Sequence, residues 1–313
     1  MKKRTLGKTD IKVTELGLGT WGLSGDAYGE VTEEQQDEVI DRALALGITL
    51  FETADVYGEG RMEEKLGARI PKEDRYVIVT KVGTDLDSEP HRKRFDPEYL
   101  ERRIEASAMR MSRDKLDVVL LHNPSLKAIE RGEACELLQR LKGEDKLRAW
   151  GVSAGSGDVV KAAIERGAEV IQMPYNVLRS QELHRVSAAI AEQSVGVLAH
   201  SVLAYGLLCG QWTSDKQFPK GDHRRDRWTK EQLGERLRQA AALRMTMTGP
   251  IKSQRAGALR FVLSNEQVHA AILGPRSAIQ LDQLVREAGK APYLTSDQHR
   301  FLRNRLTSMG AKT

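Results

Sequence analysis

Four polar side chains near the ends of predicted strands have the chemistry needed to reduce a carbonyl group. They are Glu52, Tyr57, Lys81 and His122. Hydride transfer to a carbonyl leaves negative charge on its oxygen, so the site needs a proton donor and positive charge beside that oxygen. Tyr57 is the natural donor, and Lys81 would lower the pKa of its phenol towards the working pH by stabilising the phenolate. His122 would hydrogen-bond the substrate oxygen and orient the carbonyl.

The carboxylate of Glu52 would hold Lys81 in place. A purely structural ion pair between these two residues is the alternative interpretation. Tyr57 and His122 lie in the accompanying motifs and favour the catalytic one. We therefore expect Glu52 to pair with Lys81 at the site.

Strand and helix patterns alternate along the chain. Eight segments have strand character: Glu15–Trp21, Leu50–Phe51, Tyr76–Thr80, Asp117–Leu121, Leu147–Val152, Val170–Met173, Val195–Ala199 and His269–Leu273. Helix starts are marked by a capping box at Thr32 and Gln35, and by Asp96 before Pro97. Eight strands, each followed by a helix, predict one closed (β/α)₈ TIM barrel, of class α/β, over residues 1–313.

The predicted barrel would bring the polar side chains together. Side chains alternate between the two faces of a strand, so an apolar and a polar residue two positions apart share a face. The pairs are Leu50 with Glu52, Val79 with Lys81, and Leu120 with His122. In TIM barrels chemistry takes place at the C-terminal ends of the strands. Three polar groups should therefore meet at one mouth, with Tyr57 arriving from the loop after the second strand.

The segment Gly17–Gly22 fits the glycine pattern of a dinucleotide-binding turn. That motif needs a helix that opens on its last glycine, whereas the next helix is predicted to begin near Thr32. We therefore reject a Rossmann fold. The glycines are better explained as positions where the backbone approaches a flat ligand closely.

Composition excludes several broad classes of protein. Of the 313 residues, 40% are hydrophobic and 30% are charged, and no apolar run approaches the roughly 20 residues of a membrane span. The amino terminus has no apolar signal-peptide core, so a cytoplasmic location is expected. Cys135 and Cys209 provide neither a disulfide framework nor a metal cluster, so no metal is predicted. A net charge of +5 fits an anionic nucleotide cofactor as well as nucleic acid.

The motifs around these residues resemble the active-site segments of the aldo-keto reductases. The segments are Phe51–Gly58, Val79–Val82 and Leu120–Pro124, and the likeness extends to an amino-terminal hairpin at Leu6–Gly7 and to Gly17–Thr20, Gly206–Gly210 and Gly274–Ser277. In that family aspartate, tyrosine, lysine and histidine form the catalytic tetrad, so Glu52 replaces the aspartate. The resemblance implies an NADP(H)-dependent oxidoreductase that interconverts an aldehyde or ketone and an alcohol. It implies a small-molecule substrate, with neither nucleic acid nor membrane as partner, and leaves the oligomeric state open.

The resemblance also implies a set of cofactor-binding residues. Ser153 and Gln172 match residues that hydrogen-bond the nicotinamide carboxamide, and His200 takes the place of a ring that stacks on the nicotinamide. Arg276 could grip the 2′-phosphate bidentately, which favours NADPH over NADH. The other implied positions are Gly19, Thr20, Trp21, Ser201, Leu203, Gly274, Ser277 and Gln280.

Several of these residues also have structural explanations. Ser277 and Gln280 form a capping-box pattern, which alone would account for both. His200 could be a satisfied histidine at a strand end. Trp21 could merely cap the barrel, although the resemblance puts it in the substrate wall.

Residues 211–249 form an unusually long segment after the seventh strand. Such segments are often lids, and we expect a loop that covers the cofactor or substrate. Two function classes remain: an oxidoreductase, and a cofactor-binding regulatory or catalytically degenerate protein that resembles the potassium-channel β subunits of the family. The presence of Tyr57, Lys81 and His122 favours the enzyme.

Overall fold

Eight parallel strands close into a barrel in this computed structural model, which describes residues 1–311. The strands of the chain are β1 (Lys3–Thr5), β2 (Lys12–Thr14), β3 (Leu16–Gly19), β4 (Leu50–Glu52), β5 (Val77–Val82), β6 (Thr84–Asp85), β7 (Arg92–Lys93), β8 (Leu116–His122), β9 (Leu147–Ser153), β10 (Val170–Pro174), β11 (Gly196–His200) and β12 (Ala270–Leu273). Around the barrel the order is β3, β4, β5, β8, β9, β10, β11 and β12, after which β12 pairs with β3. The predicted TIM barrel is confirmed. The pairs β1–β2 and β6–β7 are separate antiparallel hairpins.

Helices follow the barrel strands and surround them. They are α1 (Glu33–Ala45), α2 (Arg61–Arg69), α3 (Pro97–Arg110), α4 (Leu126–Arg131), α5 (Glu133–Gly143), α6 (Gly157–Glu165), α7 (Gln181–Arg185), α8 (Ser187–Glu192), α9 (Lys230–Ala240), α10 (Gln254–Leu263), α11 (Ala278–Ala288) and α12 (Ser296–Ser308). The capping box of Thr32 and Gln35 starts α1, and Asp96 caps α3 ahead of Pro97, as the sequence predicts. The 13-residue stretch between β3 and α1 leaves no helix amino terminus at Gly22, so the Rossmann interpretation fails on structural grounds too.

The apolar side chains fall into two layers. One cluster fills the inside of the barrel, where Leu50, Val79 and Leu120 stack below the polar residues that end their strands. A larger cluster lies between the barrel and the helices. The strand alternation predicted from the sequence is therefore confirmed, and it fixes which side chains can reach the mouth.

The β1–β2 hairpin closes the end of the barrel opposite the mouth. Leu6, Ile11 and Val13 are fully buried and belong to the cluster inside the barrel. At the turn, Gly7 has a φ of 59°, and a Cβ there would lie 2.2 Å from the backbone nitrogen of Gly196. Only glycine allows this close approach. The hairpin therefore forms a floor beneath the active-site end.

The segment 211–249 is not a single loop, because its second part is helical. Its first part, residues 211–229, lacks helix and strand, and we call it the strap. It is followed by α9 and by a 3₁₀ segment, Ala241–Thr246. The prediction of one long loop is wrong for this second part, because Thr229 and Gln232 form a capping box that starts α9.

Cys135 and Cys209 are both free. Among residues 1–311, no helix is long and apolar enough to cross a bilayer.

Candidate active site

The predicted site residues meet around a cavity of about 940 Å³ at the C-terminal mouth of the barrel. All four candidate catalytic residues line it, as do ten candidate cofactor residues: Gly19, Trp21, Ser153, Gln172, His200, Ser201, Leu203, Gly274, Arg276 and Gln280. Thr20 and Ser277 do not. Thr20 is fully buried, and its hydroxyl donates a hydrogen bond to the backbone carbonyl of Glu52 at 3.1 Å. The Ser277 side chain accepts from the backbone of Gln280 and caps α11, which is the structural role considered for it.

Tyr57 reaches the mouth on a turn that needs glycine. The 3₁₀ segment Tyr57–Gly60 contains three left-handed residues, Gly58 at φ 58°, Glu59 at φ 55° and Gly60 at φ 95°. The Oδ2 atom of Asp26 accepts a 2.6 Å hydrogen bond from the backbone N–H of Gly58. This bond ties the turn to the loop after β3 and so holds the phenol over the end of β5.

Lys81 uses its three ammonium protons on three partners. It donates to the carbonyl of Thr53 at 2.7 Å and to the hydroxyl of Tyr57 at 3.1 Å, and it forms an ion pair with Oε1 of Glu52. Its side chain is 2% exposed. Burial lowers the pKa of Lys81, and the charge of Glu52 opposes that effect. The pairing expected for Glu52 is confirmed, and the longer glutamate side chain does not prevent it.

The pKa of the Tyr57 phenol is shifted in the direction opposite to the expected one. Burial raises the pKa of Tyr57 well above its ordinary value, and the carboxylates of Glu52 and Asp55 raise it further. The expected fall of the Tyr57 pKa towards working pH is therefore wrong, because desolvation and two neighbouring negative charges all favour the neutral phenol. Tyr57 is held as a neutral phenol. That is the form a proton donor needs.

His122 is a neutral imidazole beside the phenol. Its ring lies at 85° to that of Tyr57 with 6.1 Å between centroids. Burial lowers the pKa of His122 well below its ordinary value, and the ammonium groups of Lys81 and Lys93 lower it further. Its Nδ1 atom is buried and has no hydrogen-bond partner within residues 1–311. A neutral ring can still donate one N–H to a substrate oxygen.

A second layer of charges supports the site from behind, and sequence reasoning missed it. Asp55 accepts from Arg103 at 3.1 Å, and Glu63 pairs with Arg110 at 2.6 Å, with both carboxylates fully buried. Glu63 also accepts the hydroxyl proton of Thr80, the neighbour of Lys81. Asp55 lies in the Phe51–Gly58 motif. Arg103 and Arg110 lie in α3, and the sequence pattern of that helix does not show that their side chains point towards the site.

A second wall of the cavity is formed by β9, β10 and β11. Gln172 donates its side-chain amide to Oε1 of Glu52 at 2.8 Å, and its own Oε1 is buried without a partner in the described chain. The Nδ1 atom of His200 lies 3.0 Å from the hydroxyl of Ser201. Burial lowers the pKa of His200 to about 3. Ser153 ends β9 with 4% of its surface exposed.

Arg276 contacts the backbone of the loop after β3. Its Nη1 atom donates to the carbonyl of Tyr28 at 3.1 Å, and its Nη2 atom donates to the carbonyls of Gly29 and Glu30 at 2.9 and 2.8 Å. The guanidinium therefore holds the loop after β3. A bidentate grip on a phosphate through the same two nitrogens would have to replace these bonds.

The strap is joined to the loop after β3 by an aromatic cluster. The His223 ring lies 4.9 Å from the Trp21 ring, 4.7 Å from that of Tyr28 and 5.2 Å from that of Tyr205, measured between centroids. The backbone N–H of His223 donates to the carbonyl of Ala27 at 2.9 Å. Together these contacts bridge the cavity edge. Other wall residues absent from the predicted set include Asp26, Tyr28, Glu59, His91, Asn123, Trp212, Arg224 and Arg255.

Comparison with known protein families shows which family the chain belongs to. The Aldo/keto reductase family matches residues 15–303. The chain belongs to the aldo-keto reductase family. Within the family, it is 29% identical over 299 residues to the aldo-keto reductase YhdN of Bacillus subtilis, covering 92% of this chain and 89% of that protein. It is 28% identical over 232 residues to the NADH-specific methylglyoxal reductase of Escherichia coli, covering 69% and 71% of the two chains.

A solved structure of another aldo-keto reductase has the same fold. The glycerol dehydrogenase AKR11B4 from Gluconobacter oxydans superposes with a TM-score of 0.85 at 26% identity, covering 99% of this chain and 97% of that chain. Family membership and oxidoreductase relatives support an enzyme.

Proposed function

We propose that this aldo-keto reductase interconverts a carbonyl compound and an alcohol with NADP(H), with Tyr57 as general acid and base. One observation carries the proposal. The Tyr57 hydroxyl, hydrogen-bonded to Lys81, lies beside His122 at the bottom of an open cavity. A proton donor and two polarising groups thus face one point where a carbonyl oxygen could lie.

The cavity residues fit a nicotinamide. Gln172 presents a buried carbonyl oxygen that lacks a donor in residues 1–311, which suits a carboxamide NH₂. At Gly19, which also lines the cavity, a Cβ would lie 2.7 Å from Cγ2 of Ile272 and 3.1 Å from Oε2 of Glu52, so close packing against these side chains requires glycine. When bound, the nicotinamide supplies or accepts the hydride. Gln172 and Ser153 would hold its carboxamide, and His200 would face its ring.

The protein's own residues handle the oxygen and the proton. In the reducing direction His122 donates a hydrogen bond to the substrate oxygen and aims the carbonyl carbon at the nicotinamide. Tyr57 gives its proton to the oxygen as charge develops there. Lys81 stabilises the phenolate that remains, and Glu52 keeps the ammonium charged in a buried site. The oxidising direction runs the same steps in reverse, with Tyr57 as base.

NADP(H) is proposed over NAD(H) because the guanidinium group of Arg276 lies on the cavity wall and favours an additional phosphate. Arg255 also lies on this wall, but its charge is neutralised by a bidentate ion pair with Glu287. The bonds from Arg276 to the loop after β3 make this preference modest. We expect a ratio of affinities of about tenfold, equivalent to about 1.4 kcal/mol.

The proposal is tested with the purified protein, NADPH or NADH, and a panel of aldehydes and ketones. Loss of reduced-nicotinamide absorbance should depend on the carbonyl compound. The variant Tyr57→Phe should lower kcat at least about 100-fold, as expected for removal of a general acid, and should change the Kd for NADPH by less than about twofold. Tyr76→Phe, which alters a tyrosine outside the cavity wall, is the matched control. Wild-type protein that binds neither cofactor, or a Tyr57→Phe variant with full activity, would refute the proposal.

A further inference from the structure

Glu52 makes a contact across the barrel that its role towards Lys81 does not require. Oε1 of Glu52 accepts both from Lys81, on the neighbouring strand, and from Nε2 of Gln172 at 2.8 Å. Glu52 ends β4 and Gln172 lies in β10, and four steps separate these strands in either direction around the eight-stranded barrel. The hydrogen bond therefore crosses the full width of the mouth. Both residues are nearly inaccessible, at 4% and 1% exposure.

This contact fixes which way the Gln172 amide faces. An ionised carboxylate can only accept hydrogen bonds, so the NH₂ end of the amide must face Glu52. The carbonyl end, Oε1, is left without a donor in the described part of the chain, at a residue that lines the cavity. An unsatisfied buried carbonyl is costly, and a ligand N–H would remove that cost. Glu52 thus turns a group that could donate or accept into one that presents only an acceptor.

The length of the glutamate side chain makes the double contact possible. An aspartate at this position would withdraw the carboxylate by about 1.3 Å, given the length of one carbon–carbon bond projected along the chain. Lys81 has a flexible side chain and could follow the carboxylate. Gln172 lies on the opposite strand and would be left beyond hydrogen-bond distance.

We propose that Glu52 is a positioning residue that locks the Gln172 carbonyl towards the nicotinamide and so selects cofactors that bear a carboxamide NH₂. The inference rests on the proposed use of a nicotinamide cofactor. By orienting Gln172, Glu52 determines how strongly the site prefers a ligand amide to an isosteric group that cannot donate a hydrogen bond. Its pairing with Lys81 is a separate role of the same carboxylate.

Equilibrium binding tests the inference without turnover. Quenching of protein fluorescence gives the Kd for NADP⁺ and for its 3-acetylpyridine analogue, in which a methyl group replaces the carboxamide NH₂. Wild-type protein should bind NADP⁺ about tenfold more tightly than the analogue, the effect of one good hydrogen bond. Glu52→Asp should bring this ratio close to one by weakening NADP⁺ alone. Gln172→Leu should do the same from the other strand.

The double variant Glu52→Asp/Gln172→Leu decides whether the two residues act as one unit. Its ratio of Kd values should equal that of Gln172→Leu alone, because the effect of Glu52 passes through Gln172. A Glu52→Asp variant that weakens both ligands equally, or effects that multiply in the double variant, would overturn the inference. Wild-type protein that fails to bind NADP⁺ would instead refute the proposed function, so the two failures are distinct. Thermal unfolding of each variant checks that it is folded.

Discussion

The ammonium nitrogen of Lys81 lies 3.1 Å from the hydroxyl oxygen of Tyr57 and 4.5 Å from the centroid of its ring. The same charge therefore contacts both the polar tip and the π face of the phenol. Both contacts stabilise the phenolate more than the phenol, because negative charge on oxygen spreads into the ring. Lys81 is thus placed to act when Tyr57 gives up its proton, although the resting phenol stays neutral.

Removing the ammonium should damage activity and stability together. Lys81→Met leaves the carboxylate of Glu52 buried without its countercharge, and breaking a buried ion pair costs about 3–5 kcal/mol. We expect kcat to fall about 1000-fold and the free energy of unfolding in urea to fall by several kcal/mol. Lys81→Met/Glu52→Gln removes the stranded charge and should recover much of the stability but none of the activity. Equal stability of the two variants would contradict the pairing.

The two directions of the reaction should respond differently to pH. Because the pKa of Tyr57 is raised well above its usual range, the phenol stays protonated through neutrality. The rate of carbonyl reduction should be nearly constant from roughly pH 6 to pH 9, whereas alcohol oxidation, which needs the phenolate, should keep rising across that range. Single-turnover rates in both directions measure this. A reduction rate that falls steadily above pH 7 would mean that the donor titrates there.

Asp55 should make the folded state less stable as pH rises. Burial raises its pKa from 3.8 to about 6, so between roughly pH 4 and pH 6 the folded protein keeps a proton that the unfolded chain releases. Stability contributed by this proton is present at low pH and is lost as pH rises through about 6, by at most about 3 kcal/mol. Asp55→Asn should remove this trend in urea unfolding at pH 4 to 7. Asp74→Asn, at an exposed site, should leave it intact.

Acid should release the strap. The pKa of His223 is lowered to about 4, mainly by burial, with the charge of Arg227 adding to the effect. The neutral ring thus favours packing of the strap against the loop after β3 above the ordinary pKa of 6.5, and this advantage is lost as pH falls from there towards 4. Since the residue is partly exposed, we expect only a threefold to tenfold rise, roughly, in the NADPH dissociation rate between pH 7 and pH 5. Stopped-flow displacement measures the rate. His223→Phe should abolish the pH dependence while keeping the aromatic contacts.

Arg276 should have two separable effects on cofactor binding. Arg276→Ala removes positive charge and the bonds to the loop after β3, so binding of NADPH and NADH should both weaken and their ratio should fall towards one. Arg276→Lys keeps the charge but cannot contact three carbonyls in the same plane. It should retain the preference for NADPH while the loop is loosened. Titration of each variant with both cofactors measures the two effects. An unchanged ratio in Arg276→Ala would exclude this residue from phosphate selection.

The sequence was most informative where local pattern determines structure. Strand alternation placed Glu52, Lys81 and His122 correctly, because the period of two in a buried strand leaves one choice of face. It was uninformative where a contact joins distant parts of the chain. The bond between Glu52 and Gln172 joins opposite strands, a relation that exists only once the barrel has closed. The bonds from Arg276 to Tyr28 and its neighbours, and the His223 cluster, depend on loops whose paths no local pattern encodes. The expected acidity of Tyr57 failed for a related reason, since burial is a property of the whole fold.

The two ends of the barrel tolerate different kinds of sequence change. The hairpin seals the interior with Leu6, Ile11 and Val13, so much of the buried apolar surface inside the barrel lies far from the mouth. Loops after β3, β5 and β11 can then be exchanged without exposing that surface. Substitutions in the loops at the mouth can therefore change which substrate binds. Substitutions in the β1–β2 hairpin are tolerated only when the protein still folds.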